Sequence, residues 1–146
     1  MISPPVSCPF PIPQYLLFSG NVPHLVYYSH FLSIFVALLA AVFVFLAGRK
    51  RLPNQILFLT LVPFVLWVFL DSIFWAANHS DIIMFVWSLC ILFEPLVYLG
   101  ALYLFHTLLK NKGVSFWQKI VFIIPYIPII IGVPTSLALP GFDLSS

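Results

Sequence analysis

The six Lys and Arg residues of this chain fall in two short clusters, each flanked by long apolar runs. The first is Arg49-Lys50-Arg51, and the second is Lys110, Lys112 and Lys119. Short loops rich in Lys and Arg stay on the cytoplasmic side of a bilayer. These residues therefore read as topology anchors, and both clusters are expected inside. The N-terminal segment, expected outside, contains no Lys or Arg.

Composition points the same way. Hydrophobic residues make up 62% of the chain and charged residues only 7%, against about 25% charged in a soluble domain. So little charge cannot cover a water-facing surface. The basic residues are loop anchors rather than a patch, so no nucleic-acid partner is expected. The expected partner is the lipid bilayer, and the expected location is the plasma or inner membrane of a cell, crossed several times.

Four apolar runs can be read as crossings, at 25–47, 55–77, 82–109 and 120–138. A helix needs about 20 apolar residues to cross the hydrocarbon core, and open strands or loops would leave backbone groups unpaired in lipid. The expected fold is thus all-α: four transmembrane helices in an antiparallel bundle, joined by short connections, with both termini outside. Residues 1–24 read as an external Pro-rich arm and residues 139–146 as an external tail. In the arm, Pro4, Pro5, Pro9, Pro11, Pro13 and Pro23 oppose a helix, and no basic n-region marks a signal peptide. Tyr15, Phe18, Tyr27 and Tyr28 suit the headgroup level. Pro53 ends any continuous helix through the first inner loop, and Gly113 is the expected helix stop in the second. Cys8 and Cys90 are expected at different depths, so no disulfide joins them.

Glu94 is the sharpest candidate site. It lies about 18 Å into the third run at about 1.5 Å per residue, near the bilayer middle. A carboxylate at that depth costs about 2.5–3.5 kcal/mol, so Glu94 is expected to be protonated and to face other helices. Trp87, Cys90, Glu94 and Tyr98 share one helical face, and Pro95 frees a backbone carbonyl beside it. Glu94 with Tyr98 is therefore either a ligand- or proton-sensing point or a neutral acid bonded to a freed carbonyl between helices. Asp71 stands between Trp67 and Trp75, one turn away on each side. That trio is either part of an outward-facing pocket or an interfacial carboxylate reaching water or an indole N–H.

His24, His30, His79 and His106 show no close ligand spacing, so no metal is expected. Pro125, Pro128, Pro134 and Gly132 break the fourth run, as in helices that line transporter sites or in kinked helices satisfied by their neighbours. Ser33, Ala37 and Ala41 form a small-residue stripe that allows close helix packing, and a homodimer through the transmembrane helices fits such a surface. No phosphate-cradling loop, GxSxG or HExxH is present, so neither catalysis nor a cofactor is expected.

Gly20-Asn21-Val22-Pro23-His24 with the first run resembles the start of the seven-helix N-terminal sensory region of bacterial membrane histidine kinases and related receptors. Leu66-Trp67 with Asp71 and Trp75, the Glu94-Pro95 run, and Pro140-Gly141-Phe142-Asp143-Leu144 are similar to later parts of that region. The resemblance covers nearly the whole chain through diffuse aromatic and proline patterns. It implies a non-catalytic sensory or signal-transducing region whose output is a cytoplasmic domain in a longer chain. Two departures stand beside it: the chain holds four helices, and it holds no output domain. The competing expectations are a small carrier or channel subunit using Glu94 and the broken fourth run, and an orphan membrane protein without a ligand.

Overall fold

The computed structural model describes residues 18–20, 22–77 and 79–133. They fold as helices in sequence: α1 (His24–Ala47), α2 (Leu52–Ala76), α3 (Ser80–Lys110), α4 (Phe116–Ile123), a 3-10 turn (Ile124–Tyr126) and α5 (Ile127–Gly132). Three of them, α1, α2 and α3, are long and apolar enough to cross a membrane. The fold is therefore all-helical and suited to a membrane-embedded bundle. The fourth segment is shorter, an apolar stretch at Phe116–Gly132. The rest of the expected fourth run, with the tail, Cys8 and most of the Pro-rich arm, lies outside the described residues.

The middle helix holds the bundle together. α2 packs against α1 on one side and α3 on the other, and its buried residues run its whole length, from Ile56 to Ala76. Several facing residues are small. α1 buries Ala37 and Ala41. On α3, Gly100 lies against Thr60 of α2, so close that a Cβ there would stand 3.0 Å from Thr60 Cγ2. Apolar association supplies little drive between helices in lipid, so close backbone approach through small residues does the packing. Larger side chains fill the end of the α2–α3 seam nearest their connecting turn, where Ile73, Val86 and Cys90 are buried among Trp67, Leu70, Phe74 and Ile82. Cys90 is a free thiol.

Outward faces are apolar: Leu32, Leu39 and Phe43 on α1 and Leu102, Phe105 and Leu109 on α3 are all exposed. Four of the hydroxyls on these helices are turned inward to the backbone. Thr60, Ser72, Ser88 and Thr107 each donate to the carbonyl four residues earlier, at 2.8, 3.0, 2.8 and 2.9 Å. That local bond hides the donor from lipid.

Helix boundaries differ from the sequence expectation in instructive ways. α2 begins at Leu52 and takes Pro53 into its first turn, where a missing N–H costs nothing. Pro63 is buried inside α2, tolerated because neighbouring helices surround it. α3 stops at Lys110, and Asn111, at φ 50°, is the left-handed residue that ends it. Gly113 has no positive φ and instead packs on α2, where a Cβ would lie 3.3 Å from Leu52 Cδ2. α4 begins at Phe116, earlier than expected, because Ser115 and Gln118 form a reciprocal capping box.

The α1–α2 turn is fixed by the amides of the next helix. Asn54 Nδ2 donates to the Val44 carbonyl at 3.1 Å, and Gln55 Nε2 donates to the Arg49 carbonyl at 3.0 Å. Arg49 sits 5.3 Å above the Phe45 ring. Since Gly113 rests on Leu52, Lys110 and Lys112 stand at the same end of the bundle as Arg49, Lys50 and Arg51.

Candidate functional site

At the end opposite the basic clusters, α1 and α2 are joined by a polar pair. His30 stands six residues inside the start of α1 at His24, and Asp71 five residues inside the end of α2 at Ala76. The antiparallel arrangement brings them to one level. His30 Nε2 lies 2.8 Å from Asp71 Oδ2, with side-chain exposures of 19% and 36%. The other ring nitrogen, Nδ1, faces the Val26 carbonyl of its own helix at 2.7 Å. The Ser29 hydroxyl donates to the same carbonyl at 2.8 Å and lies 3.2 Å from Nδ1. Ser29, Ser33, Phe64, Trp67 and Val68 line a cavity of about 210 Å³ beside the pair.

Asp71 was expected either in a pocket or as an interfacial carboxylate reaching water or an indole; in the structure it pairs with an imidazole from another helix and lies beside a cavity. Trp67 and Asp71 come together at this cavity, whereas Trp75 is turned out, 53% exposed. Chain signals for the His30 partner were available. His30, Ser33, Ala37 and Ala41 follow helical spacing on one face of α1, so the small-residue stripe that packs on α2 carries His30 with it.

The second polar locus is at the α3 proline. Glu94 is half-buried, and the Tyr98 hydroxyl points to its Oε1 from 3.5 Å, too long for a strong O–H···O bond. Tyr98 is 62% exposed, on the side of α3 that meets the fourth segment. Pro95 offers no N–H to the turn before it. The carbonyl left without its helical donor is that of Ile91; one residue on, the Leu92 carbonyl accepts from the Tyr126 hydroxyl of the fourth segment at 2.5 Å. Pro95, Tyr98, Phe122, Pro125 and Tyr126 surround an apolar cavity of about 150 Å³. Tyr126 was the residue missed here; a tyrosine beside Pro125 in an apolar run has few other reasons to carry a hydroxyl.

Two further places hold polar groups. Phe18, His24, Tyr27, Tyr28 and Phe31 border a hollow of about 650 Å³ at the His24 end of α1, where the Tyr27 hydroxyl accepts from the Ser19 N–H at 2.6 Å. Both ring nitrogens of His106 are buried without a hydrogen-bond partner among the described residues. Among the described residues no group of three or more His, Cys, Asp or Glu could hold a metal ion. His24, His30, His79 and His106 are thus not gathered into one site. No protein-family model matches the chain, and no curated protein or solved structure is detectably similar to it.

Proposed function

We propose that this chain is a non-catalytic sensory region of a cell membrane, with four crossings and both termini outside. The observation that carries the reading is the His30–Asp71 pair with its cavity. It is a polar link at one end of a helix seam whose middle holds the small residues Ala37 and Ala41, with the Asn54–Val44 bond at the other end. Polar groups at such a place are costly and mark function. Its position opposite the basic clusters, taken with the positive-inside rule, supports an external location, where a signal from outside can reach it. A change in that link alters how α1 sits on α2, and α2 in turn packs on α3. A cytoplasmic output domain, in a longer chain or as a partner, would read the movement at the basic end; a homodimer through the helices would serve the same purpose.

A second reading, a carrier or channel subunit, is favoured by one observation: the fourth segment is broken at Ile124–Tyr126 and docks on the Pro95 turn beside Glu94. Vesicles separate the two. The purified chain, reconstituted with an entrapped pH- or sodium-sensitive dye, should pass neither H⁺ nor Na⁺. Spin labels at exposed Leu32 and Phe69, in a background without Cys8 and Cys90, should report an α1–α2 distance that changes with the external solution. Flux abolished by Glu94→Gln would establish the carrier instead. A fixed distance with no flux would remove both.

A further inference from the structure

The pair that joins α1 to α2 has a donor problem, and its solution identifies a ligand. The Val26 carbonyl can only accept, so a ring nitrogen 2.7 Å from it must carry a hydrogen. That commits Nδ1 as a donor. A neutral imidazole has one N–H, and its other nitrogen then presents a lone pair. Nε2 would aim that lone pair at Asp71 Oδ2 across 2.8 Å, where a carboxylate offers only lone pairs of its own. The contact exists only if one more proton lies between them. We propose that His30 and Asp71 together form a proton-binding site, and that the bound proton latches α1 to α2.

With the proton in place the pair is neutral overall, whether it is written as imidazolium and carboxylate or as imidazole and carboxylic acid. Neutrality suits a seam that faces lipid on either side. The step is a simple transfer. The Nε2–H or Oδ2–H bond breaks, the proton passes to a water as hydronium, and a neutral ring keeping its Nδ1–H is left beside a carboxylate. No other bond changes and no electron moves. The cavity supplies the water: about 210 Å³ far exceeds the roughly 10–15 Å³ that one water requires, and Ser29 and Ser33 give it polar partners. Once the proton has gone, lone pair faces charge and the two helices are pushed apart at this end. The latch is closed with the proton bound and opens as pH rises.

Among the described residues no Lys or Arg lines the cavity, and His30 and Asp71 are its ionisable side chains. From α3, Cys90 is within electrostatic reach of Asp71 and Glu94, and neither of those groups is cationic. Residues 1–23 contain no Lys, Arg or His side chain.

The inference rests on the sensory reading of the same pair and shares the Leu32–Phe69 distance with its test; the protonation state of the pair, read by NMR, is what separates the two. The full chain, labelled with ¹⁵N-His and ¹³C-Asp, is placed in phosphatidylcholine–phosphatidylglycerol bilayers for solid-state NMR at neutral pH. His30 signals are assigned by their loss in His30→Gln. The expected result is a transferable proton in the bond: both ring nitrogens protonated, or a neutral ring beside a protonated Asp71 carboxyl. In Asp71→Asn the ring should become neutral with the hydrogen on Nδ1, since the new amide donates to Nε2. Raising pH should lengthen the Leu32–Phe69 spin-label distance in the wild type as the proton leaves, and should not in Asp71→Asn. A bare ring nitrogen beside an ionised Asp71 would overturn the proposal. So would ring signals indifferent to Asp71→Asn, or deprotonation without separation of the helices. Any of these outcomes leaves membrane insertion and the flux result untouched.

Discussion

Gly100→Ala should destabilise the bundle although alanine is the better helix former. At Gly100 a Cβ would meet Thr60 Cβ at 2.9 Å and Cγ2 at 3.0 Å, with Thr60 Oγ1 closer still. The obstacle is a branched side chain on a packed helix, so it cannot swing away, and α2 and α3 must separate. Forcing a methyl into a packed interface costs about 1–3 kcal/mol. Replacing a helical glycine by alanine returns about 1 kcal/mol. The net expectation is a loss of about 0–2 kcal/mol, and a control sharpens it. At Gly132 a Cβ would meet nothing within 4 Å among the described residues, so Gly132→Ala should be neutral or stabilise by at most about 1 kcal/mol. The two variants should differ by about 1–3 kcal/mol, the overpacking alone.

Unfolding by sodium dodecyl sulfate from decyl maltoside micelles, followed by tryptophan fluorescence, measures both variants on one scale. Thr60→Ala removes two of the three offending atoms, and the Thr60 hydroxyl bonds only within its own helix, to Ile56. The double variant should therefore recover part of the loss, with a coupling of about 0.5–3 kcal/mol. If Gly100→Ala matches Gly132→Ala and adds independently to Thr60→Ala, the two helices do not meet at this pair and the packing account fails.

Tyr126→Phe removes the hydroxyl that donates to the Leu92 carbonyl; it should weaken docking of the fourth segment by about 0.6–2 kcal/mol and raise the mobility of a spin label at Ile130, and an unchanged label spectrum would exclude the bond. Single cysteines at Asn54, Ser80 and Ser115, in a chain lacking Cys8 and Cys90, map the orientation: only position 80 should react with an impermeant reagent in intact cells, whereas labelling at 54 or 115 inverts the topology. Among the described residues Glu94 has only a 3.5 Å contact from Tyr98 of its own helix, so Glu94→Gln and Glu94→Leu should both leave stability in detergent within about 1 kcal/mol of the parent chain; a larger loss from either would mean a partner on another helix.

How much of this was legible in the chain depends on whether the signal lies within one helix or between two. The three long helices were readable because about 20 consecutive apolar residues leave no alternative to a spanning helix. Their ends shifted by a few residues where local chemistry outranks hydropathy. Pro53 fits the first turn of α2, and Asn111 takes the left-handed position that glycine was expected to fill. The Ser115–Gln118 box is an S-x-x-Q signature, and it sets the start of α4 before the apolar run begins. Gly100 gave no sign of its role, because a glycine in an apolar helix becomes informative only when its facing residue is known.

The pairing of His30 with Asp71 shows why sites in helical membrane proteins are read poorly from a single strand of sequence. Grouping Asp71 with Trp67 and Trp75 used the i±4 neighbours of one helix, and that rule cannot see a partner 41 residues away. Two facts together would have found it. The small residues Ser33, Ala37 and Ala41 define the α1 face that meets α2, and His30 continues that face toward the end opposite the basic clusters. The short turn at Gly48–Arg51 makes α1 and α2 antiparallel, so residues equally far from the turn share a level: His30 is 18 residues before Gly48, and Asp71 is 20 after Arg51. Combining a packing stripe with distance from a short turn places an acid opposite a base without reference to coordinates. Applied to α2 and α3, with the turn at 77–79 as origin, the same construction sets Thr60 17 residues before Ala77 and Gly100 21 after His79. The mismatch of four residues is about one helical turn, 5.4 Å of rise, so depth alone narrows the choice to a turn and the small side chain at Gly100 selects the residue.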